Sequence, residues 1–170
     1  MKAVIAAGLM AMVLQGSPVM AAAPSSPLVG EWALDVSTLP MPPAVRPRRV
    51  ALAFQEAAEG RWSTQVEIID AEGKRLYSES TIPLDGTPGK ATGTYFVDVV
   101  AAKMPSPNVL VMQFVFEGIP RSTRVFSVSA DGAVLTETET YFLKDGTPKM
   151  RTAHFTRSAA KTGTPRPATP

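Results

Sequence analysis

The sequence predicts an all-β domain, in which eight to nine antiparallel strands form a meander that closes into a barrel. Beyond residue 28, apolar and polar residues alternate with a period of two, and no window of eleven residues carries a helical period. Asp-Gly pairs and other glycine-containing turns separate the alternating segments, which is typical of hairpins. Because hairpins join neighbours, such a sheet removes its edges most readily by curling closed. A β-sandwich is the alternative.

The alternation places nine strands, and short turns rich in Gly, Asp and Pro connect most of them. Residues 37–47 hold four prolines and are predicted to form a loop at one end of the sheet. The turns are predicted at 57–60, 71–74, 130–132 and 144–148. The predicted strands are 30–36, 49–56, 61–70, 75–84, 93–100, 109–117, 121–129, 134–142 and 150–157.

Both ends of the chain are predicted to lie outside the barrel domain, which spans residues 28–158. Residues 1–23 combine a basic start at Lys2, an apolar run over 3–14 and small residues around Ala21, the layout of a secretory signal peptide. Residues 24–27 are interpreted as a linker and 159–170 as a disordered tail. We therefore expect a periplasmic or secreted protein without a transmembrane segment. The absence of cysteine excludes a lipoprotein anchor.

The composition also narrows the chemistry that the domain can perform. A formal net charge of +2 indicates no nucleic-acid partner, and without cysteine there is no zinc-thiolate site or thiol nucleophile. His154 is the only histidine, and neither a Gly-x-Ser-x-Gly motif nor a glycine-rich phosphate loop is present. Glu137 and Glu139 are interpreted as a solubilising strand face. We expect no catalysis, no metal and no cofactor.

The chain resembles a known family in several short motifs. The first strand reads LVGEWALDV, with a Gly-x-Trp pattern, and the segments DAEGKRLYSESTIPLDGTP and DGTPKMRTAHFTR follow later. These motifs resemble those of exported bacterial lipocalin-like proteins, whose barrels are of the calycin type. The resemblance implies a lipocalin-like barrel in which Trp32 packs under the basic residue Arg157 of the last strand. The alternative is that Trp32 is simply a core residue.

Large apolar residues on alternating strand positions are the candidates for lining the barrel interior. If Leu76 and Ile82 point inward on one strand, the serines that alternate with them also point inward. If Val134 and Phe142 point inward on another strand, so do the threonines between them. The opposite register would bury Glu79, Glu137 and Glu139 at high cost, so the first register is preferred. Small hydroxyl residues suit a cavity that holds a ligand with polar atoms. The predicted ligand-binding residues are Trp62, Leu76, Ser78, Ser80, Leu110, Met112, Phe114, Phe116 and Thr138.

The sequence thus favours a barrel that binds a small, mostly apolar molecule or lipid in its interior without catalysis. The alternative is a solid barrel that acts through its surface on an envelope protein partner. Its contact would be the proline-rich loop with Arg46, Arg48 and Arg49, the densest group of basic residues in the domain. A filled interior would favour this alternative.

Overall fold

The computed structural model describes residues 25–158, which form a closed barrel of ten antiparallel strands. Each strand pairs with its neighbours in the sequence, and the first strand pairs with the last to close the sheet. The prediction of an all-β meander that closes into a barrel is therefore confirmed. The strands are β1 Gly30–Leu34, β2 Arg49–Ala57, β3 Arg61–Ile69, β4 Arg75–Pro83, β5 Gly89–Gly93, β6 Val99–Ser106, β7 Val109–Phe116, β8 Ile119–Val128, β9 Val134–Phe142 and β10 Pro148–Arg157.

The number of strands differs from the eight to nine that the sequence predicts. The predicted strand over 93–100 does not form, because the chain turns between Gly93 and Val99 and two strands, β5 and β6, flank that turn. The backbone N–H groups of Thr94 and Tyr95 both donate to the carbonyl oxygen of Tyr77, each at 2.8 Å. Glycine at position 93, with φ of 137°, permits this close approach.

Asp-Gly turns connect the strands where the sequence predicts them. In the β8–β9 turn, the Asp131 carboxylate accepts hydrogen bonds from the Ser129 hydroxyl and the Ala133 N–H, and Gly132 takes a φ of 72°. In the β9–β10 turn, Asp145 accepts from the Thr147 N–H at 2.9 Å. These aspartates organise the turns through their own side chains.

The barrel has two distinct ends. We call the end that receives the start of the described chain the closed end, because residues 25–29 lie across it. There the Ser26 N–H donates to Glu56 at 2.9 Å, its hydroxyl donates to the carbonyl oxygen of Pro107 at 2.5 Å, and Leu28 is fully buried. Ser26 falls in the linker predicted at 24–27, so this part of the linker packs onto the barrel. The opposite, open end carries the turns at 70–74, 94–98, 117–118 and 143–147.

Trp32 and Arg157 meet near the closed end, as the resemblance implies. They are paired residues of β1 and β10, and the guanidinium lies 4.3 Å from the centroid of the indole ring. Arg157 also donates hydrogen bonds to the carbonyl oxygens of Pro27, Val29 and Gly132. One side chain thus ties the first strand, the last strand and the segment across the closed end together.

Large side chains fill the middle of the barrel. The buried positions on β4 and β5 are small except for Ile82, whereas those on β2, β3, β7 and β8 are mostly large, an alternation that fills a narrow barrel. Aromatic rings meet at the centre, where Phe54 lies 5.9 Å from Trp62 and 5.3 Å from Phe126 between ring centroids. Among residues 25–158, the largest fully buried side chains are Leu28, Trp32, Phe54, Trp62, Ile82, Val100, Leu110, Met112, Phe126, Leu135 and Phe155.

The signal peptide predicted at 1–23 and the tail predicted at 159–170 lie outside the described residues. Between residues 25 and 158, the structure contains no helix with the length and apolar character needed to cross a bilayer.

Candidate functional site

A cleft opens at the open end of the barrel, with a volume of about 690 Å³. Its walls are apolar and aromatic, and charged side chains lie at its floor and its rim. Four rim side chains, Phe96, Ile119, Phe142 and Leu143, are unusually exposed for their type, Phe142 at 69% and Ile119 at 60%. The remaining lining residues are Tyr95, Val97, Phe114, Pro120, Arg121, Ser122, Arg124, Glu139, Tyr141, Lys144 and Arg151.

Strand alternation directs the floor residues inward. On β8, Ser122, Arg124, Phe126 and Val128 are buried, so Arg124 shares the inner face with two core residues. On β9 the buried positions are Leu135, Glu137 and Glu139. The short turn between β8 and β9 sets their register and places Arg124 opposite Glu139.

A buried network of charges forms the floor of the cleft. The Arg124 guanidinium lies 3.1 Å from a carboxylate oxygen of Glu137 and 3.1 Å from one of Glu139. It also donates to the Tyr95 hydroxyl at 3.1 Å. The second oxygen of Glu139 accepts a hydrogen bond from Arg151, whose side chain is half exposed. Two cations, buried Arg124 and half-exposed Arg151, therefore compensate the two buried anions.

Burial changes the acid–base properties of this network. Burial raises the pKa of the Glu137 carboxyl above its ordinary value, although Arg124 opposes the shift. For Arg124, burial lowers the pKa, but its interactions with Tyr95, Glu137 and Glu139 outweigh burial, and the net direction is upward. Arg124 therefore keeps its positive charge inside the barrel. Its guanidinium also lies 4.8 Å from the centroid of the Phe114 ring, a cation–π contact.

The predicted ligand-binding residues of β3, β4 and β7 point inward but pack mainly in the core. Ser78 and Ser80 are buried on β4 in the preferred register, and Leu76 at the start of that strand is half-buried. Trp62, Leu110 and Met112 are fully buried, and Phe114 alone of the predicted set also lines the cleft. Phe116 is half-buried and packs edge-on against Phe96 at 5.8 Å between ring centroids.

The register predicted for β9 is wrong. The structure places Thr138 on the outer face of the barrel, together with Thr136 and Thr140, and it buries Glu137 and Glu139 instead. These glutamates therefore do not form the solubilising face that the sequence suggests. The physical reason is Arg124, which compensates the two carboxylates and so offsets the cost of burying them.

The three arginines of the alternative surface contact lie around the proline-rich loop at the open end. Arg46 donates to the carbonyl oxygen of Met41 at 2.8 Å, and Arg48 donates to that of Ala71 at 3.0 Å. Arg49 lies 3.8 Å from Glu67. All three hold local structure, and an envelope partner at this loop stays a prediction.

His154 lies exposed on the outer face of β10, where its ring is within 3.3 Å of the Thr136 hydroxyl. It does not line the cleft. Among residues 25–158, no three His, Asp or Glu side chains are arranged to hold a metal ion.

Sequence reasoning missed most of the cleft, including Tyr95, Arg121, Arg124, Lys144 and Arg151. A signal for Arg124 was present, since it alternates with Phe126 and Val128 on one strand and a short Asp-Gly turn leads to the glutamates. Tyr95, Phe96, Leu143 and Lys144 carried no such signal, because they lie in turns, where residues have no strand period.

No protein-family model, no curated protein and no solved structure matches this chain. The class that the fold and the site define is a closed antiparallel β-barrel with a cleft at one end.

Proposed function

We propose that this protein is an exported, lipocalin-like barrel that binds a small, mostly apolar molecule and performs no chemistry on it. The observation that carries the proposal is the cleft of about 690 Å³ at the open end. Its volume lies in the range of small-molecule sites, which combine apolar walls with a few placed polar groups. Export rests on the signal-peptide pattern of residues 1–23.

The rim of the cleft supports this function because it exposes large apolar side chains to water. Phe96, Ile119 and Phe142 are each more than half exposed and stand around one opening. Contiguous exposed apolar residues usually mark a binding surface. Because large side chains fill the middle of the barrel, we place the proposed ligand site in the cleft at its end, with the central residues Trp62, Leu110 and Met112 as the packed base.

The proposal that no reaction is catalysed rests on the arrangement of the reactive groups. Glu139, which lines the cleft, and Glu137 behind it are both engaged by Arg124. The histidine is on the outer face, outside the cleft. The charged groups of the floor are therefore already paired with one another.

Binding of a neutral apolar dye tests the site. N-phenyl-1-naphthylamine, which fluoresces in apolar surroundings, should bind the wild-type protein at one site. The double variant Ile119→Ser/Phe142→Ser should weaken binding about fivefold or more, because it removes exposed apolar contact area from the rim. The matched control is Val45→Ser/Met150→Ser, two equally exposed apolar residues outside the cleft, which should leave the affinity unchanged.

Native mass spectrometry identifies the natural cargo. Protein purified from a bacterial periplasm should carry an extra mass that is released on denaturation. A clean apo mass together with no dye binding would overturn the proposed function. Equal weakening in both double variants would show that the dye binds elsewhere.

A further inference from the structure

The charges around the cleft are unequal in number. Four basic side chains line it, Arg121, Arg124, Lys144 and Arg151, against the single carboxylate of Glu139. Glu137 lies directly behind this floor and contacts Arg124. The positive charge of the cleft therefore exceeds the negative charge, even when Glu137 is included.

The inner charges cancel one another. Arg124 contacts both glutamates, and Arg151 contacts the remaining oxygen of Glu139. Two positive and two negative charges form one compact unit, and its members already satisfy one another. A ligand gains little from this unit as a net charge.

The outer cations have no such compensation. Arg121 at the start of β8 and Lys144 in the β9–β10 turn are exposed, and within residues 25–158 neither has a carboxylate within 4 Å. Acidic residues occur nearby in the sequence, namely Glu117 and Asp145, but neither lines the cleft. The Asp145 carboxylate accepts the Thr147 N–H of its own turn.

These two cations share the cleft with exposed apolar side chains. Ile119 is two residues from Arg121, and Phe142 is two residues from Lys144, and all four line the cleft. A ligand that lies on the apolar pair thus brings any charged group it carries near the basic pair. Opposite charge is favoured at such a place, more so when apolar walls exclude water.

We propose that the ligand is an amphipathic anion, with its apolar body against the rim and its anionic group held by Arg121 and Lys144. This inference rests on the proposed function, since it names the ligand class of the same cleft. A carboxylate, a sulfonate or a phosphate ester satisfies the chemistry, because both cations are donors to anionic oxygens.

Two dyes with the same ring system test the proposal. 1-Anilinonaphthalene-8-sulfonate is N-phenyl-1-naphthylamine with an added sulfonate, so the ratio of their affinities reports the contribution of the negative charge. In wild-type protein at low salt the sulfonate should bind about three- to tenfold more tightly than the neutral dye. The ratio should fall when sodium chloride screens the charges.

The double variant Arg121→Gln/Lys144→Gln should lower the affinity for the sulfonate more than the affinity for the neutral dye, and so remove this preference. The matched control is Lys74→Gln/Lys90→Gln, which removes two exposed cations outside the cleft and should keep the preference. Near-UV circular dichroism establishes that each variant is folded.

The outcomes separate this inference from the proposed function. If the neutral dye binds and the sulfonate binds no better, the cleft is a ligand site and the anion preference is wrong. If neither dye binds to folded protein and the native mass is that of the protein alone, the proposed function itself fails. A preference lost equally in both double variants would assign the effect to net charge and overturn the role of Arg121 and Lys144.

Discussion

Arg124 is the residue on which the interior charges depend. It is almost fully buried and contacts Glu137, Glu139, Tyr95 and the Phe114 ring. Taking charges out of water is costly, and mutual pairing repays this cost only when the geometry is good. A single cation between two carboxylates therefore makes the floor of the cleft possible.

Replacing this cation should be strongly destabilising. We expect Arg124→Met to lower the free energy of unfolding by about 3 to 5 kcal/mol at neutral pH, because Glu137 then remains buried without a cation and Glu139 keeps only Arg151. Urea unfolding followed by tryptophan fluorescence measures the change. The triple variant Arg124→Met/Glu137→Leu/Glu139→Leu should recover most of the loss, since the uncompensated anions are then absent.

Arg75→Met serves as the matched control. Arg75 pairs with Glu67 at 2.7 Å on the outer face, and its side chain is 54% exposed. Exposed pairs contribute little, so we expect a loss below about 1 kcal/mol. A loss for Arg124→Met as small as this would contradict the role given to Arg124.

The side chains of β4 and β9 show which inward-facing residues could be predicted from the sequence and which could not. Inward orientation of Ser78 and Ser80 follows from alternation with Ile82, and the structure agrees. The predicted register of β9 was wrong because the cost of burying Glu137 and Glu139 was judged from β9 alone. Compensation by Arg124 comes from the neighbouring strand, and pairing across strands has to be considered before a buried charge is rejected.

Among the secondary-structure elements, the turn between β5 and β6 decides how many strands the barrel has. Gly93 lies opposite Ser78 of β4, and a Cβ atom at position 93 would overlap with the carbonyl oxygen of Tyr77. That oxygen already accepts two backbone hydrogen bonds from Thr94 and Tyr95. The turn also carries Tyr95, Phe96 and Val97 into the cleft wall.

Alanine at this position should therefore be costly. We expect Gly93→Ala to lower the free energy of unfolding by about 2 kcal/mol or more, from backbone strain together with the overlap. Gly132→Ala is the matched control, because its φ of 72° is also positive but open space surrounds it. Its expected loss is about 1 kcal/mol. Urea unfolding compares the two, and equal losses would contradict the close approach at Gly93.

Eight of the nine predicted strands match observed strands within a few residues at their ends, because hydrophobic alternation and Asp-Gly turns are local signals. The remaining prediction, a strand over 93–100, was wrong for a reason that is not local. Residues 93–100 read GTYFVDVV and look like a strand, but Tyr77 on another strand fixes the turn within them. A contact between elements overrides the pattern here.

Across the barrel, the strands differ in how many residues pair with their neighbours. β5 pairs with β4 through Ser78–Gly93, Glu79–Thr92 and Ser80–Ala91, and with β6 only through Gly89–Val100 and Lys90–Val99. In contrast, the pairing of β9 with β10 runs along the full length of β9. Local unfolding occurs most readily where a strand makes the fewest contacts with its neighbours.

Hydrogen exchange should reveal this difference. Amides of β5 are expected to exchange through local opening, well before those of β9, which should exchange only with global unfolding. β1 is the matched control, since it has the same length but carries the fully buried Trp32 under Arg157. Exchange of β5 as slow as that of β1 and β9 would contradict the expectation. Mass spectrometry or NMR of the folded protein measures the rates.

The two ends of the described segment, residues 25 and 158, determine how the barrel can be attached to a surface. The described chain starts at the closed end, and it ends there too, where the Ser158 N–H donates to the carbonyl oxygen of Glu31 at 2.9 Å. The cleft faces the opposite way. A tether joined through either end would therefore present the cleft outward. An affinity handle joined after residue 158 should immobilise the protein on a sensor chip with the cleft towards the analyte, without any engineering of the barrel.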